Sequence, residues 1–273
     1  MSGYMIARTL AEALEALQGE GAVAVAGGTD LWVGLRRARA EGRALPRLIV
    51  DITRVPELGE LNQIEEGLWV GAGVSFARLE ADPLVQRLAP ALGQAAATVG
   101  SVQVRNAATI GGNVANASPA ADGLAALVGL GAEAVVASAG GERRLKVEEL
   151  VGGGQGVGLA HGELIKGFVV PALEGRQVFL KVGRRAALNI ARLSVTVVLG
   201  QEVRVGLGAC FPAPRRITHA EELAAKGDFE EAARAAAEAF RRESGSRPSA
   251  VYKIPAISRA VREALKIAAG GVA

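Results

Sequence analysis

Over residues 9–18 the apolar positions Leu10, Ala13, Leu14 and Leu17 recur at helical spacing, with Thr9 at the N-cap and Glu12 three residues on. That predicts an amphipathic helix opened by a capping box. The pattern then changes. Residues 22–26 form an unbroken apolar run that ends in Gly27-Gly28-Thr29-Asp30, a second helical stretch covers 31–41, and 48–52 is again apolar. Run, glycine turn, helix and run predict a βαβ unit with the glycines at the carboxyl end of its first strand. Further on, paired strands are expected over 64–75, helices over 76–82, 83–99 and 123–130, and a strand over 134–138. After Pro171 the stretches 177–182, 193–199 and 202–208 alternate as antiparallel strands do, and helices over 220–226, 229–243 and 258–269 follow. The change of texture places a domain boundary near residue 172. The expected division is 1–172, with halves of about 1–55 and 56–172, and 173–273.

One stretch fits neither period. From 106 to 121 there are sixteen residues without a charge, rich in Asn, Thr, Ser, Gly and Ala, and they run into Asp122. Such a segment suits a ligand that is already charged. Its hydroxyls, amides and backbone N–H groups meet phosphates without adding a counter-charge, and Asp122 is available to a ribose hydroxyl pair. Composition narrows the chemistry. Gly makes up 36 of 273 residues and aromatics only 4%, and there are one Cys (Cys210) and two His. Those counts exclude an intramolecular disulfide, a Cys-bound iron–sulfur cluster and a Cys/His zinc site within the chain. Lys and Arg number 31 against 28 Asp and Glu, and the arginine clusters are interleaved with acids and not with aromatics. They read as solvated faces, and no nucleic-acid partner is expected. The opening residues lack a leader's pattern and no apolar run spans a bilayer, so a cytoplasmic chain with no membrane span is expected.

Four places invite chemistry. Ala26-Gly27-Gly28-Thr29-Asp30-Leu31 is either a tight turn with Asp30 capping a helix or a cradle of backbone donors for a phosphate. No G-x-G-x-x-G and no G-x-x-x-x-G-K-[ST] occurs, which removes the Rossmann and Walker readings. The uncharged segment with Asp122 is the second place. The glycine loop 152–158 is either a connector or a lid. In 179–191, Phe179 and Lys181 either face a ring system across the domain boundary or are a core aromatic and a surface cation. Cys210 reads as a small buried hydrophobe.

Six short motifs in order carry a family likeness: Ala26-Gly27-Gly28-Thr29-Asp30-Leu31, Gly100-Ser101-Val102-Gln103-Val104-Arg105-Asn106, Thr109-Ile110-Gly111-Gly112-Asn113, Ala117-Ser118-Pro119-Ala120-Ala121-Asp122, Gly162-Glu163-Leu164-Ile165 and Lys181-Val182-Gly183-Arg184-Arg185. Together the chain resembles the FAD-binding (medium) subunits of molybdenum hydroxylases, the xanthine dehydrogenase and carbon monoxide dehydrogenase family. The resemblance implies an α+β fold: a two-subdomain FAD domain of the p-cresol methylhydroxylase/vanillyl-alcohol oxidase type, then a smaller α+β domain with a three-stranded antiparallel sheet. It implies that Ala26 to Asp30 wrap the FAD pyrophosphate, with Leu31 beside them, and that Thr109, Ile110, Gly111, Gly112 and Asn113 form a second anion-binding loop for the phosphates and ribityl chain. It further implies that Asp122 holds the adenosine ribose, that Leu164 lines the adenine pocket, and that Phe179 and Lys181 lie near the isoalloxazine. The implied partners are a large molybdopterin-containing subunit, a small 2Fe–2S subunit and an external acceptor (NAD, a quinone or oxygen). A flavin subunit of an aromatic acyl-CoA reductase and a scaffold that has lost FAD are the alternatives. The family often has Asp where this chain has Asn189.

Overall fold

The computed structural model describes residues 3–152, 156–185 and 188–271, so residues 153–155 of the glycine loop and 186–187 lie outside it. The chain opens on β1 (Gly3–Ile6), α1 (Leu10–Leu17), β2 (Ala22–Val25), α2 (Leu31–Ala40) and β3 (Leu48–Asp51). The strands form a parallel sheet in the order β1-β3-β2, with Met5 and Ala24 both opposite Val50. The expected βαβ unit is present. The chain's first helix, α1, starts as expected: Thr9 Oγ1 accepts the Glu12 N–H at 3.1 Å, while Glu12 Oε2 accepts the Arg8 N–H at 2.7 Å. Strand β1 has no apolar run to announce it, because three of its four residues are exposed.

The middle of the chain runs β4 (Leu61–Ile64), β5 (Gly67–Gly71), α3 (Phe76–Ala81), α4 (Pro83–Leu88), α5 (Pro90–Ala97), α6 (Val102–Ala107), α7 (Ile110–Ala115), α8 (Asp122–Gly129), β6 (Glu133–Ser138), β7 (Gly141–Lys146), α9 (Val147–Val151) and β8 (Leu164–Pro171). The five strands form an antiparallel sheet ordered β4-β5-β8-β6-β7. The helix expected over 83–99 is two helices, because Pro90 has no N–H to continue the first and starts the second. The uncharged stretch 106–121 holds the last two residues of α6, all of α7 and the turns over 116–121 that lead to α8. Strand β7 escapes the hydrophobic pattern because its sequence, GERRLK, is almost wholly exposed.

The remainder is β9 (Arg176–Val182), β10 (Leu193–Leu199), β11 (Val203–Gly208), β12 (Arg215–Arg216), α10 (Thr218–Ala225), α11 (Phe229–Ser244) and α12 (Ala250–Ala268). Here the expectation of three strands needs correction: the sheet has four, ordered β12-β11-β10-β9. The fourth is two arginines opposite Gly206 and Leu207, held by Arg216 on Glu221 at 2.8 Å, and a two-residue strand has no alternation to read. Helix α12 begins at Ala250, earlier than expected, and carries Pro255 in its second turn. Cys210 is buried, and burial pushes its thiol up to about 12 against the opposing charge of Lys253. No described helix is long and apolar enough to cross a membrane.

Two contacts seat the third sheet on the second unit. A Cβ on Gly129 would lie 2.4 Å from Thr196, so glycine lets α8 lie directly on β10. The outer edge of β9 meets α4 and α5 through alternate residues. Gln177 donates to Leu88 O at 3.1 Å, Phe179 N–H donates to Gln94 Oε1 at 2.7 Å, and Lys181 Nζ donates to Thr98 O at 3.1 Å. A strand edge that would otherwise be open is thereby covered, and a trench is left between the three sheets.

Candidate functional site

The trench begins where β2 stops. Gly28 has φ +66°, and a Cβ on Gly27 would lie 2.0 Å from the carbonyl oxygen of Ala107, so the loop and the end of α6 touch backbone to backbone. Among the described residues, none of the N–H groups from Gly27 to Leu31 has a backbone acceptor. Asp30 occupies the N-cap position of α2, but its carboxylate makes no capping hydrogen bond, contrary to the turn-and-cap reading. A run of unused donors at the start of a ten-residue helix is left facing a cavity of about 580 Å3. Helix dipole and free N–H groups both favour an anion at this point.

The second loop behaves differently. Ile110 N–H donates to Val74 O at 3.0 Å, Gly111 N–H to Ala72 O at 2.8 Å, and Gly112 N–H to Thr109 Oγ1 at 3.1 Å. Asn113 Oδ1 accepts the Leu124 N–H at 2.9 Å. In this structure these N–H groups have acceptors inside the protein, and Thr109, Gly112 and Asn113 line the cavity opposite the glycine loop. Gly111 is required for packing: a Cβ there would lie 2.5 Å from that of Ala72.

Beyond this wall, Asp122 at the start of α8 meets Lys181 of β9, Oδ2 to Nζ at 2.5 Å, with the two side chains 6% and 7% exposed. Burial raises the Asp122 carboxyl above its ordinary value, against the opposing pull of Lys181 and Thr98. Asp122 Oδ1 is buried without a partner. A buried acceptor with nothing donating to it is costly unless a ligand group supplies the donor. This pair is 59 positions apart in the chain and nothing in either local pattern announces it.

The cavities share walls in sequence. One of about 320 Å3, lined by Leu17, Ala22, His161 and Leu164, shares Ala26, Thr109 and Gly112 with the 580 Å3 cavity. That one shares Asp30, Asn113 and Asn116 with a cavity of about 510 Å3 that holds Asp122 and Lys181. The last shares Lys181 and Asn189 with a cavity of about 870 Å3 bordered by Phe179, Arg184 and Arg185. Leu164 and Asp122 therefore line different cavities of this series, with the glycine loop lining the one between them. Phe179 is buried in the core against α5, which is the core-aromatic alternative, and only borders the largest cavity. Sequence reasoning missed Thr98 and Gln94, whose roles arise from the packing of α5 on β9.

Residues 1–173 match the family model described as the FAD binding domain in molybdopterin dehydrogenase. The chain is 31% identical over 234 residues, 82% of its length and 79% of the relative's, to the xanthine dehydrogenase FAD-binding subunit of Escherichia coli O157:H7. It is 30% identical to the glyceraldehyde dehydrogenase medium chain of Sulfolobus acidocaldarius, covering 80% and 79% of the two chains. Among solved structures it matches quinoline 2-oxidoreductase from Pseudomonas putida 86 with a TM-score of 0.88 at 25% identity, covering 99% and 97%. Carbon monoxide dehydrogenase from Hydrogenophaga pseudoflava gives a TM-score of 0.86 at 27% identity, covering 100% and 98%.

Proposed function

The chain belongs to the family of FAD-binding domains in molybdopterin dehydrogenases, and from that premise we infer that it is the flavin-carrying medium subunit of a molybdenum hydroxylase complex. The observation that carries this reading is the run of free N–H donors from Gly27 to Leu31 at the centre of the trench. They would hold the FAD pyrophosphate, with Ala26, Thr109, Gly111 and Gly112 as the opposing wall and Ile110 anchoring it in the core. Leu164 would line the adenine end. Asp122, at the other end, would take a hydroxyl of the ribityl chain on its unpartnered Oδ1, which moves it from the adenosine ribose to the flavin half. Lys181, fixed by Asp122 and Thr98, would present its remaining proton toward the ring system, and Asn113 its amide.

Bound here, FAD would supply the redox chemistry, taking electrons from iron–sulfur centres on a small partner chain and passing them to NAD, a quinone or oxygen. The chain's own contribution is binding and electrostatics: backbone donors on the phosphates, a buried cation by the ring and a dry wall of alanine and glycine. Substrate oxidation would belong to a large molybdopterin-containing chain. In this reading residues 1–172 form the FAD domain of p-cresol methylhydroxylase/vanillyl-alcohol oxidase type and 173–273 the smaller domain that brings in Lys181, in a cytoplasmic complex. Equilibrium titration of the purified chain with FAD tests the site. Asp122→Ala and Gly27→Ala should each weaken binding at least tenfold, and unchanged affinity in both removes the assignment.

A further inference from the structure

Helix α2 is poorly held by its own fold. Of its ten residues only Ala38 is buried. A surface helix normally lays a broad apolar stripe on the core. In α2 the inward stripe of Leu31, Gly34, Leu35 and Ala38 instead lines the 580 Å3 cavity. The outward face carries Val33, 64% exposed, and Trp32, 44% exposed with one edge of its ring against Gly28, followed by Arg36, Arg37 and Arg39; past the helix end Arg43 borders the cavity. The one acid among them, Glu41, is already shared by Arg37 at 2.7 Å and Arg43 at 2.8 Å. Among the described residues, Arg36 and Arg39 have no carboxylate partner.

We propose that this outer face of α2 is a docking surface for another chain of the complex, one that presents carboxylates around an apolar notch. The proposal rests on the assembly reading above for the existence of such a chain. Exposed Trp and Val amid arginine is the composition of an interface core with its rim, since Trp and Arg are enriched where partners bind. The unbalanced arginines choose the occupant. A second copy of this chain would set arginine against arginine across a two-fold axis, whereas an acidic surface neutralises them. Val33 belongs to an apolar contact, which a phosphate backbone does not offer. A partner here would also explain why a helix with a single buried residue stands where it does: its inner face waits for the cofactor and its outer face for the neighbouring chain.

The test uses the tagged chain co-expressed with the large and small chains of its own complex, comparing wild type with Val33→Glu and Arg36→Glu, neither of which lines the trench. Recovery of a partner chain should fall at least tenfold in each variant. Recovery of the wild-type complex should also fall as salt is added, while FAD content of the isolated chain stays that of wild type. Full recovery of both partners in both variants overturns the proposal. So does loss of FAD in parallel with the partner, because the helix would then act through the cofactor. A dimer of the isolated chain that Val33→Glu dissociates would assign the face to a second copy. Retention on heparin that Arg36→Glu abolishes, with the complex intact, would assign it to a polyanion. A wild-type chain that recovers neither partner overturns the assembly reading along with this one.

Discussion

Gly27→Ala puts a single methyl where the trench has least room. Its Cβ would stand 2.0 Å from Ala107 O, 2.6 Å from Ala107 C and 2.8 Å from Ala108 Cα. All three are backbone atoms, so no side chain can rotate away. Restoring an ordinary carbon–oxygen contact of about 3.3 Å requires the loop and the end of α6 to separate by roughly 1.3 Å. Overpacking of this kind costs about 1–3 kcal/mol in stability. The larger effect falls on binding, because the same movement shifts the free N–H groups of Gly27 to Leu31 that line the cavity. Losing one hydrogen bond to a charged group costs about 1.5–3 kcal/mol, which is tenfold or more in Kd. The assay is a fluorescence-quench titration of the apo chain with FAD beside a thermal melt. Gly59→Ala serves as control, since a Cβ there meets nothing within 4 Å. An alanine at 27 that leaves both the FAD affinity and the melting temperature of wild type would refute the close contact and the donor cradle built on it.

Other consequences are open to measurement. Lys181→Met leaves Asp122 buried and unpaired and should cost about 3–5 kcal/mol by denaturant titration, whereas pairing it with Asp122→Leu should recover most of that; equal losses in both would show that the pair is not coupled. Asp122 holds its proton more tightly in the folded chain than at its ordinary value of 3.8. The stability contributed through it is therefore present below that pH and lost as pH rises through the folded-state value, and Asp122→Asn should flatten this part of the stability curve. Gln177→Leu strands the Leu88 carbonyl and the Ala91 N–H at the seat of the third sheet, which should lower stability by about 1–3 kcal/mol. Cys210, with its thiol raised to about 12, should resist iodoacetamide at pH 8 in the folded chain and react fully once unfolded.

The elements legible in the sequence are those whose neighbours along the chain decide them. The capping box at Thr9, the βαβ pattern around Gly27 and the alternation of β9 to β11 each declare themselves locally. What was not legible depends on residues far away. The close packing of Gly111 on Ala72, and the bonds of its loop's N–H groups to Ala72, Val74 and Thr109, have no trace in the local pattern. That Phe179 packs against α5 while bordering a cavity beside Lys181 depends on a helix some 85 residues away. The bond of Asp122 to Lys181 arises only when β9 is laid on α5, 59 positions along the chain. Strand β7 and the two arginines of β12 stay hidden because pairing, and not hydrophobic pattern, makes them strands.

The central claim is that this trench holds one FAD by the free donors of the glycine loop. Isothermal titration of the purified apo chain with FAD addresses it directly. The account predicts one FAD per chain, with the same stoichiometry and at least tenfold weaker binding for Gly27→Ala. A wild-type chain that stays colourless and releases no heat on addition of FAD would contradict it.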